Sequence, residues 1–140
     1  MKHLALILAL LPLPAFADDP APPGPPMTAA EFEAYALGKT LTYGVAGVVW
    51  GQEEYLPGHQ VIWAFTDQPC EYGHWQEMNG TDNQPMICFT YEDNPQANCW
   101  KFFKGEKGLD ALFIGDGSTE LSEVAQTDQP MNCPGPKVGV

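Results

Sequence analysis

Residue types that perform nucleophilic catalysis are sparse in this chain. It contains two serines, Ser118 and Ser122, and two histidines beyond its first ten residues, His59 and His74. Neither serine lies in a G-x-S-x-G motif, and a nucleophile requires a base and an orienting group at defined positions. Ser118 follows Asp-Gly and His59 follows Pro-Gly, so we interpret both as turn residues. We therefore expect no catalytic residues and no enzymatic activity.

Two pairs of adjacent carboxylates, Glu53-Glu54 and Glu92-Asp93, are the other candidates for acid–base chemistry. Glycosidase chemistry requires two carboxyls that face each other across a cleft and have unequal pKa values. Because neighbours on a strand point to opposite faces, we interpret both pairs as solvated strand ends. The oxygen-rich loops 79–83 and 93–98 do not match the Ca²⁺-loop pattern, so we expect no metal site and no cofactor.

The chain contains four cysteines, Cys70, Cys88, Cys99 and Cys133. An even count is typical of two disulfides in an oxidising compartment, and four cysteines allow three pairings. We favour Cys88–Cys99, which would join two neighbouring strands across a turn, and Cys70–Cys133, which would fix the C-terminal tail. The alternative, a zinc site that uses Cys70 and His74, lacks a second pair of ligands.

The start of the chain predicts export. Residues 1–17 combine Lys2, an apolar run and the cleavage motif Ala15-Phe16-Ala17, as in a signal peptide. The apolar run is too short to span a bilayer, and no later segment is long enough. We expect cleavage after Ala17, a periplasmic or secreted protein, and no membrane span in the mature chain.

The charge of the chain restricts its partners. The 140 residues include 6 Lys, no Arg and 18 acidic residues. Loss of Lys2 with residues 1–17 leaves five Lys and all 18 acidic residues, a net charge of −13. Such a charge disfavours nucleic acid and anionic membrane surfaces and favours a cationic partner.

The segment after the predicted signal peptide has two parts. Residues 18–27 contain five prolines, typical of an extended linker. Thr28-Ala-Ala-Glu31 matches a capping box and predicts a helix over about 29–37. Phe32 and Tyr35 are expected to face the core from this helix.

From Thr40 onward the hydrophobic pattern has period two, which is typical of strands. The segments predicted as strands are 41–45, 48–50, 53–56, 60–65, 72–78, 86–91, 98–103, 109–114 and 121–125. They make about seven or eight short strands joined by tight turns such as Asn79-Gly80. The pattern predicts a mainly β domain over 28–140 with a C-terminal tail. Its fold would be an antiparallel up-and-down meander, either a small calycin-like barrel or a strongly bent sheet.

Several segments stand in a recognisable order: Glu31–Tyr43, Gly73-His74-Trp75, Ile87–Glu92, Cys99–Phe103 and Cys133–Pro136. In them the chain resembles a group of small exported alphaproteobacterial proteins of unknown function. More distantly, it is similar to bacterial families regarded as lipocalin-like. The closer resemblance covers nearly all of the chain after residue 17. It implies a small calycin-like meander, and it implies no activity and no site residues.

The aromatic residues suggest a function. The chain has 16 Phe, Trp and Tyr, of which all but Phe16 lie after the predicted signal peptide. Filling a small barrel uses such side chains, and some of them would line a pocket for a small apolar molecule. The candidate ligand-binding residues are Trp63, Phe65, Trp75, Phe89, Trp100 and Phe102. We expect a non-enzymatic binding protein; the alternative is an acidic interaction module, or an inhibitor of a cationic hydrolase such as lysozyme.

Overall fold

The computed structural model of the chain describes residues 24–115 and 119–133. The elements are α1 (Ala29–Ala36), β1 (Thr40–Val45), β2 (Val48–Leu56), β3 (Gln60–Phe65), β4 (Glu71–Asn79), β5 (Pro85–Tyr91), β6 (Asn94–Lys104), β7 (Leu109–Phe113) and β8 (Glu120–Thr127). The predicted signal peptide, the first part of the predicted linker, Ser118 and residues 134–140 lie outside the described residues.

The eight strands form a closed antiparallel barrel. Each strand pairs with the next one along the chain, and β1 also pairs with β8, with Thr40 opposite Thr127. The predicted up-and-down meander is therefore confirmed, and its barrel alternative is the one that forms. The β1–β2, β3–β4, β5–β6 and β7–β8 loops share one end of the barrel, which we call the mouth. Helix α1 lies at the opposite end, which we call the helix end.

Helix α1 begins at the predicted capping box. The Thr28 hydroxyl accepts a hydrogen bond from the Glu31 amide, and the Glu31 carboxylate accepts one of 2.9 Å from the Thr28 amide. The backbone amide of Ala29 donates to the Glu77 carboxylate on β4. These contacts fix the first turn of the helix against the barrel.

Phe32 closes the helix end. Its side chain is completely buried, and its ring centroid lies 5.4 Å from that of Tyr55, 5.3 Å from Trp75 and 4.5 Å from Phe102. The first two contacts are edge-to-face, a favourable arrangement for aromatic rings. One helical side chain thus contacts rings from three different strands.

Strand β2 is continuous, although the sequence predicted two segments, 48–50 and 53–56, in its place. Gly51 lies within the strand, and the Trp63 indole packs directly over it. A Cβ atom at position 51 would lie 2.5 Å from the Trp63 ring. This glycine allows a close approach instead of forming a turn. Strand β6 likewise begins at Asn94, earlier than the predicted start at Asn98.

Both favoured disulfides are formed. Cys88 and Cys99 are directly opposite each other on β5 and β6, and Cys70 is bonded to Cys133. Because the second bond uses the Cys70 sulfur, Cys70 is not a thiolate ligand for the alternative zinc site. Because disulfides persist in oxidising surroundings, the two bonds indicate a non-cytoplasmic compartment.

The segment after β8 lies across the outside of the barrel. Thr40 on β1 donates to the carbonyl of Gln129, and the amide of Met131 donates to the Glu54 carboxylate on β2. The Cys133 disulfide then fixes this segment to the start of β4. In the part of the chain that the structure describes, no helix is long and apolar enough to cross a membrane.

Candidate ligand-binding cavity

The barrel contains a cavity of about 480 Å³ on its mouth side. Sites for small molecules typically have volumes of about 300 to 1,000 Å³. The wall is largely aromatic, while Glu71, Asp93, Asn94, Asn98 and Thr119 supply polar groups where the strands meet the mouth. An apolar interior with few polar groups is the usual composition of a small-molecule site.

Five of the six candidate ligand-binding residues line this cavity: Trp63, Phe65, Phe89, Trp100 and Phe102. Trp75 lies inside the barrel but at the helix end, where it is 3 % exposed. Its indole stacks on the His59 imidazole with ring centroids 3.8 Å apart. All six side chains face the interior of the barrel, and Trp75 differs from the other five in its height along the barrel, which the pairing of β4 with β3 and β5 sets.

Trp50 also lines the cavity and was not among the candidates. The β1–β2 register shifts at this residue, since Tyr43 pairs with Gly51 and Gly44 pairs with Val49. A bulge of this kind turns a side chain away from the face that alternation gives it. The Trp50 centroid lies 5.6 Å from that of Trp63 and 6.4 Å from that of Trp100. We call Trp50, Trp63 and Trp100 the tryptophan cluster.

Glu53 is the second residue that the sequence analysis missed, and its interpretation as a solvated strand end is wrong. Its side chain points into the barrel, is 4 % exposed and lines the cavity. The Tyr91 hydroxyl donates to its Oε1 at 2.6 Å, and the Tyr55 hydroxyl donates to its Oε2 at 2.9 Å. Glu54 lies on the opposite face, where it accepts from Met131. The second pair, Glu92-Asp93, is exposed in the β5–β6 turn, as predicted.

The environment of Glu53 places its titration near neutral pH. Burial raises the pKa of the Glu53 carboxyl to about 7, although the hydrogen bonds from Tyr91 and Tyr55 act in the opposite direction. Burial also raises the pKa of the Tyr43, Tyr55 and Tyr91 hydroxyls well above the usual value. The tyrosines therefore remain protonated donors while Glu53 changes its charge.

The ionisable groups of the cavity are acidic or phenolic. Glu53 lies in its interior, and Glu71 and Asp93 lie toward the mouth. Among the described residues that line it there is no Lys or His, and the chain contains no Arg. A low-dielectric cavity with charges of one sign concentrates the opposite charge.

A second buried carboxyl lies outside the cavity. Glu123 on β8 is 6 % exposed and lies near the helix end. Its Oε2 accepts hydrogen bonds of 2.8 Å from the Tyr35 hydroxyl and 2.9 Å from the Leu109 amide. These bonds connect α1, β7 and β8, so Glu123 contributes to the attachment of the helix.

The residues considered for nucleophilic or metal chemistry are dispersed. Ser122 donates to Asp110 on the outside of the barrel, and His74 is exposed on the face of β4 opposite Trp75. His59 lies 3.7 Å from the Glu33 carboxylate. Within residues 24–115 and 119–133, no group of three His, Cys, Asp or Glu side chains is placed to hold a metal ion.

Comparisons of the chain with protein-family models, with curated proteins and with solved structures give no match. The resemblance to exported alphaproteobacterial proteins therefore stays a prediction.

Proposed function

We propose that this protein is a non-enzymatic binding protein that holds a small, largely apolar molecule inside its barrel. The observation that supports this function best is the aromatic cavity of about 480 Å³ on the mouth side. An eight-stranded barrel has an interior just wide enough to be filled by side chains or to hold one small ligand. Here part of the interior is open space instead of side chains.

The rest of the fold supports a site that exists before the ligand arrives. Phe32 fills the helix end, the strands close on themselves, and Cys88–Cys99 joins two of the strands that form the cavity wall. A site that is already formed loses little conformational entropy on binding. The mouth is then the end through which a ligand enters.

We further propose that the protein works in the periplasm or the external medium after cleavage behind Ala17. The signal-peptide pattern of residues 1–17 supports this location, and the two disulfides are consistent with it. The resemblance to small exported proteins points the same way.

Native mass spectrometry of the protein, purified gently from its own source, tests the function. We expect an adduct with the mass of a small molecule on the wild-type chain. Ala111→Trp would fill the cavity from β7, because Ala111 lines it, and is expected to abolish the adduct. Val124→Trp is the matched control, since Val124 is 43 % exposed. An adduct that persists equally in both variants would contradict the proposal, as would a bare chain that also binds nothing from a panel of apolar ligands.

The mouth favours one second candidate, the interaction module for a cationic protein. Apolar side chains at this end are exposed: Val45, Val48, Val49, Phe65 and Ile114. Exposed apolar groups next to acidic ones suit a protein interface. This candidate predicts a protein partner whose affinity falls steeply with salt, and no co-purifying partner would count against it.

A further inference from the structure

We propose, building on the function proposed above, that the ligand is an amine. Its ammonium group would pair with the Glu53 carboxylate, and its apolar body would lie against the tryptophan cluster. The observation behind this inference is a buried carboxyl on the wall of an otherwise apolar cavity.

The hydrogen bonds of Glu53 leave room for a further donor. A carboxylate has about four acceptor positions on its two oxygens. Tyr91 occupies one position on Oε1, and Tyr55 occupies one on Oε2. Counting the contacts of the described residues, one position on each oxygen thus remains for a ligand N–H. Because the two tyrosines hold the carboxyl in place, the acceptor is oriented before the ligand binds.

The charge of Glu53 has no cationic partner within the barrel's described part. The ammonium of Lys39 lies over the Tyr35 ring at the helix end, 4.5 Å from its centroid. Lys101 pairs with Asp82 on the outside. A buried carboxylate without a cation is costly. An ammonium group brought by the ligand would supply the missing charge.

The tryptophan cluster suits the same ligand. An ammonium group over an aromatic face is attracted by the ring quadrupole, and indole is the best of the natural faces. Trp63 pairs with Glu53 in the β2–β3 register. The carboxylate and the Trp63 indole are therefore neighbours on the cavity wall. The apolar part of the ligand would then extend toward Trp50 and Trp100.

The same site disfavours an anionic ligand. A fatty acid or another carboxylate would place a second negative charge beside Glu53, and two adjacent carboxylates cannot both ionise without a large cost. Glu71 and Asp93 add to this repulsion at the mouth. The cavity therefore distinguishes ligands by charge as well as by size.

Binding of an amine is expected to depend on pH. Tyr91 on β5 and Tyr55 on β2 contact Glu53 directly, and Tyr43 on β1 contacts Tyr55. Glu71 on β4 lies on the cavity wall toward the mouth, and Glu123 on β8 acts on Tyr43 from outside the cavity. The pKa of each of the three tyrosines is raised, so the tyrosine hydroxyls stay neutral. The pKa of Glu53 is about 7, while an alkyl amine titrates near lysine, at about 10.4. Amine affinity should therefore rise as pH increases through about 7.

Three ligands of one shape test the inference by isothermal titration calorimetry: phenylbutylamine, phenylbutanol and phenylbutanoate. At a pH of about 8 we expect the amine to bind at least about tenfold more tightly than the alcohol, and the carboxylate to bind most weakly. This comparison uses the wild-type protein and needs no variant to fold. If the alcohol binds as tightly as the amine, the inference is overturned while the proposed function stands. If none of the three binds, the inference is overturned, and the proposed function is decided by the native adduct and the panel of apolar ligands.

Glu53→Gln assigns the effect to one residue. The amide keeps the shape of the side chain and removes its charge, so we expect the preference for the amine over the alcohol to disappear. The alcohol should still bind, which shows that the variant is folded. Glu54→Gln, on the opposite face of β2, is the matched control and should retain the preference. A preference that survives in Glu53→Gln would overturn the inference.

Discussion

Tyr91 on β5 donates a hydrogen bond of 2.6 Å to the carboxylate of Glu53 on β2, across the interior of the barrel. The two strands are not neighbours in the sheet, so the bond connects distant parts of the wall. It also gives a buried ionisable group a fixed position on the surface of the cavity. The stability of the barrel and the preference for an amine that we propose therefore involve the same side chain.

The titration of Glu53 makes the stability of the fold depend on pH. Its pKa rises from 4.5 to about 7 on folding, so between these values the folded chain binds a proton that the unfolded chain has released. The stabilisation is fully present below a pH of about 4.5 and is lost as the pH rises through about 7. The loss amounts to about 3 kcal/mol.

Urea unfolding at pH values from about 5 to about 8 measures this effect. In Glu53→Gln this part of the pH dependence should be absent, and the variant should be more stable than the wild type at the upper end of the range. Glu54→Gln should show the wild-type dependence. Equal slopes in the wild type and Glu53→Gln would show that Glu53 does not titrate between these limits.

Tyr91→Phe removes the shorter of the two hydrogen bonds to Glu53. Loss of a hydrogen bond to a charged group costs about 1.5 to 3 kcal/mol, so we expect a loss of this size above a pH of about 7. The loss should be smaller at a pH of about 5, where the carboxyl is protonated. Chemical denaturation at both pH values measures the difference. Tyr72→Phe is the control, because Tyr72 is 49 % exposed, and a loss that is independent of pH would contradict the assignment.

The two disulfides should contribute unequally. In the chain-entropy model, the Cys70–Cys133 bond, with a sequence separation of 63, contributes about 4 kcal/mol. The Cys88–Cys99 bond, with a separation of 11, contributes about 3 kcal/mol. Replacing each pair by alanine and measuring the free energy of unfolding gives both values. A larger loss from the shorter loop would show that packing, and not loop closure, dominates.

Phe32→Ala should open the helix end. Truncating a fully buried phenylalanine typically costs about 3 to 5 kcal/mol, and Phe32 contacts three rings of the barrel. Thermal or urea unfolding measures the loss. Leu37→Ala, at a residue that is 45 % exposed, should change the stability by no more than about 0.5 kcal/mol. A similar change in both variants would mean that the helix is not packed as described.

Local sequence signals predicted much of this fold. The capping box at Thr28 lies within four consecutive residues, and the period-two alternation needs only a single strand. Closure of the barrel is different, because it depends on Thr40 pairing with Thr127, far apart in the chain. Each strand edge carries the same backbone groups, so nothing in β1 alone specifies β8 as its partner.

The candidate site was predicted less completely than the fold, because it too depends on strand pairing that local sequence patterns do not specify. Alternation puts Glu53 on the face of Tyr55, but that face is known to be internal only once β2 is continuous and paired with β3. Trp50 reaches the cavity through a bulge that depends on the β1–β2 register. The sequence signal that would have indicated the internal carboxyl is a glutamate two residues before a tyrosine on one strand, because both side chains then lie on the same face.

The indole N–H signals of the four tryptophans provide the sharpest test of the binding site. Trp50, Trp63 and Trp100 line the cavity, whereas Trp75 lies at the helix end and serves as an internal control. On titration of ¹⁵N-labelled protein with phenylbutylamine, we predict that the signals of the tryptophan cluster shift together and saturate while that of Trp75 stays in place. No shift in the cluster, or a shift of Trp75 as large as the others, would contradict a ligand site inside the mouth of the barrel.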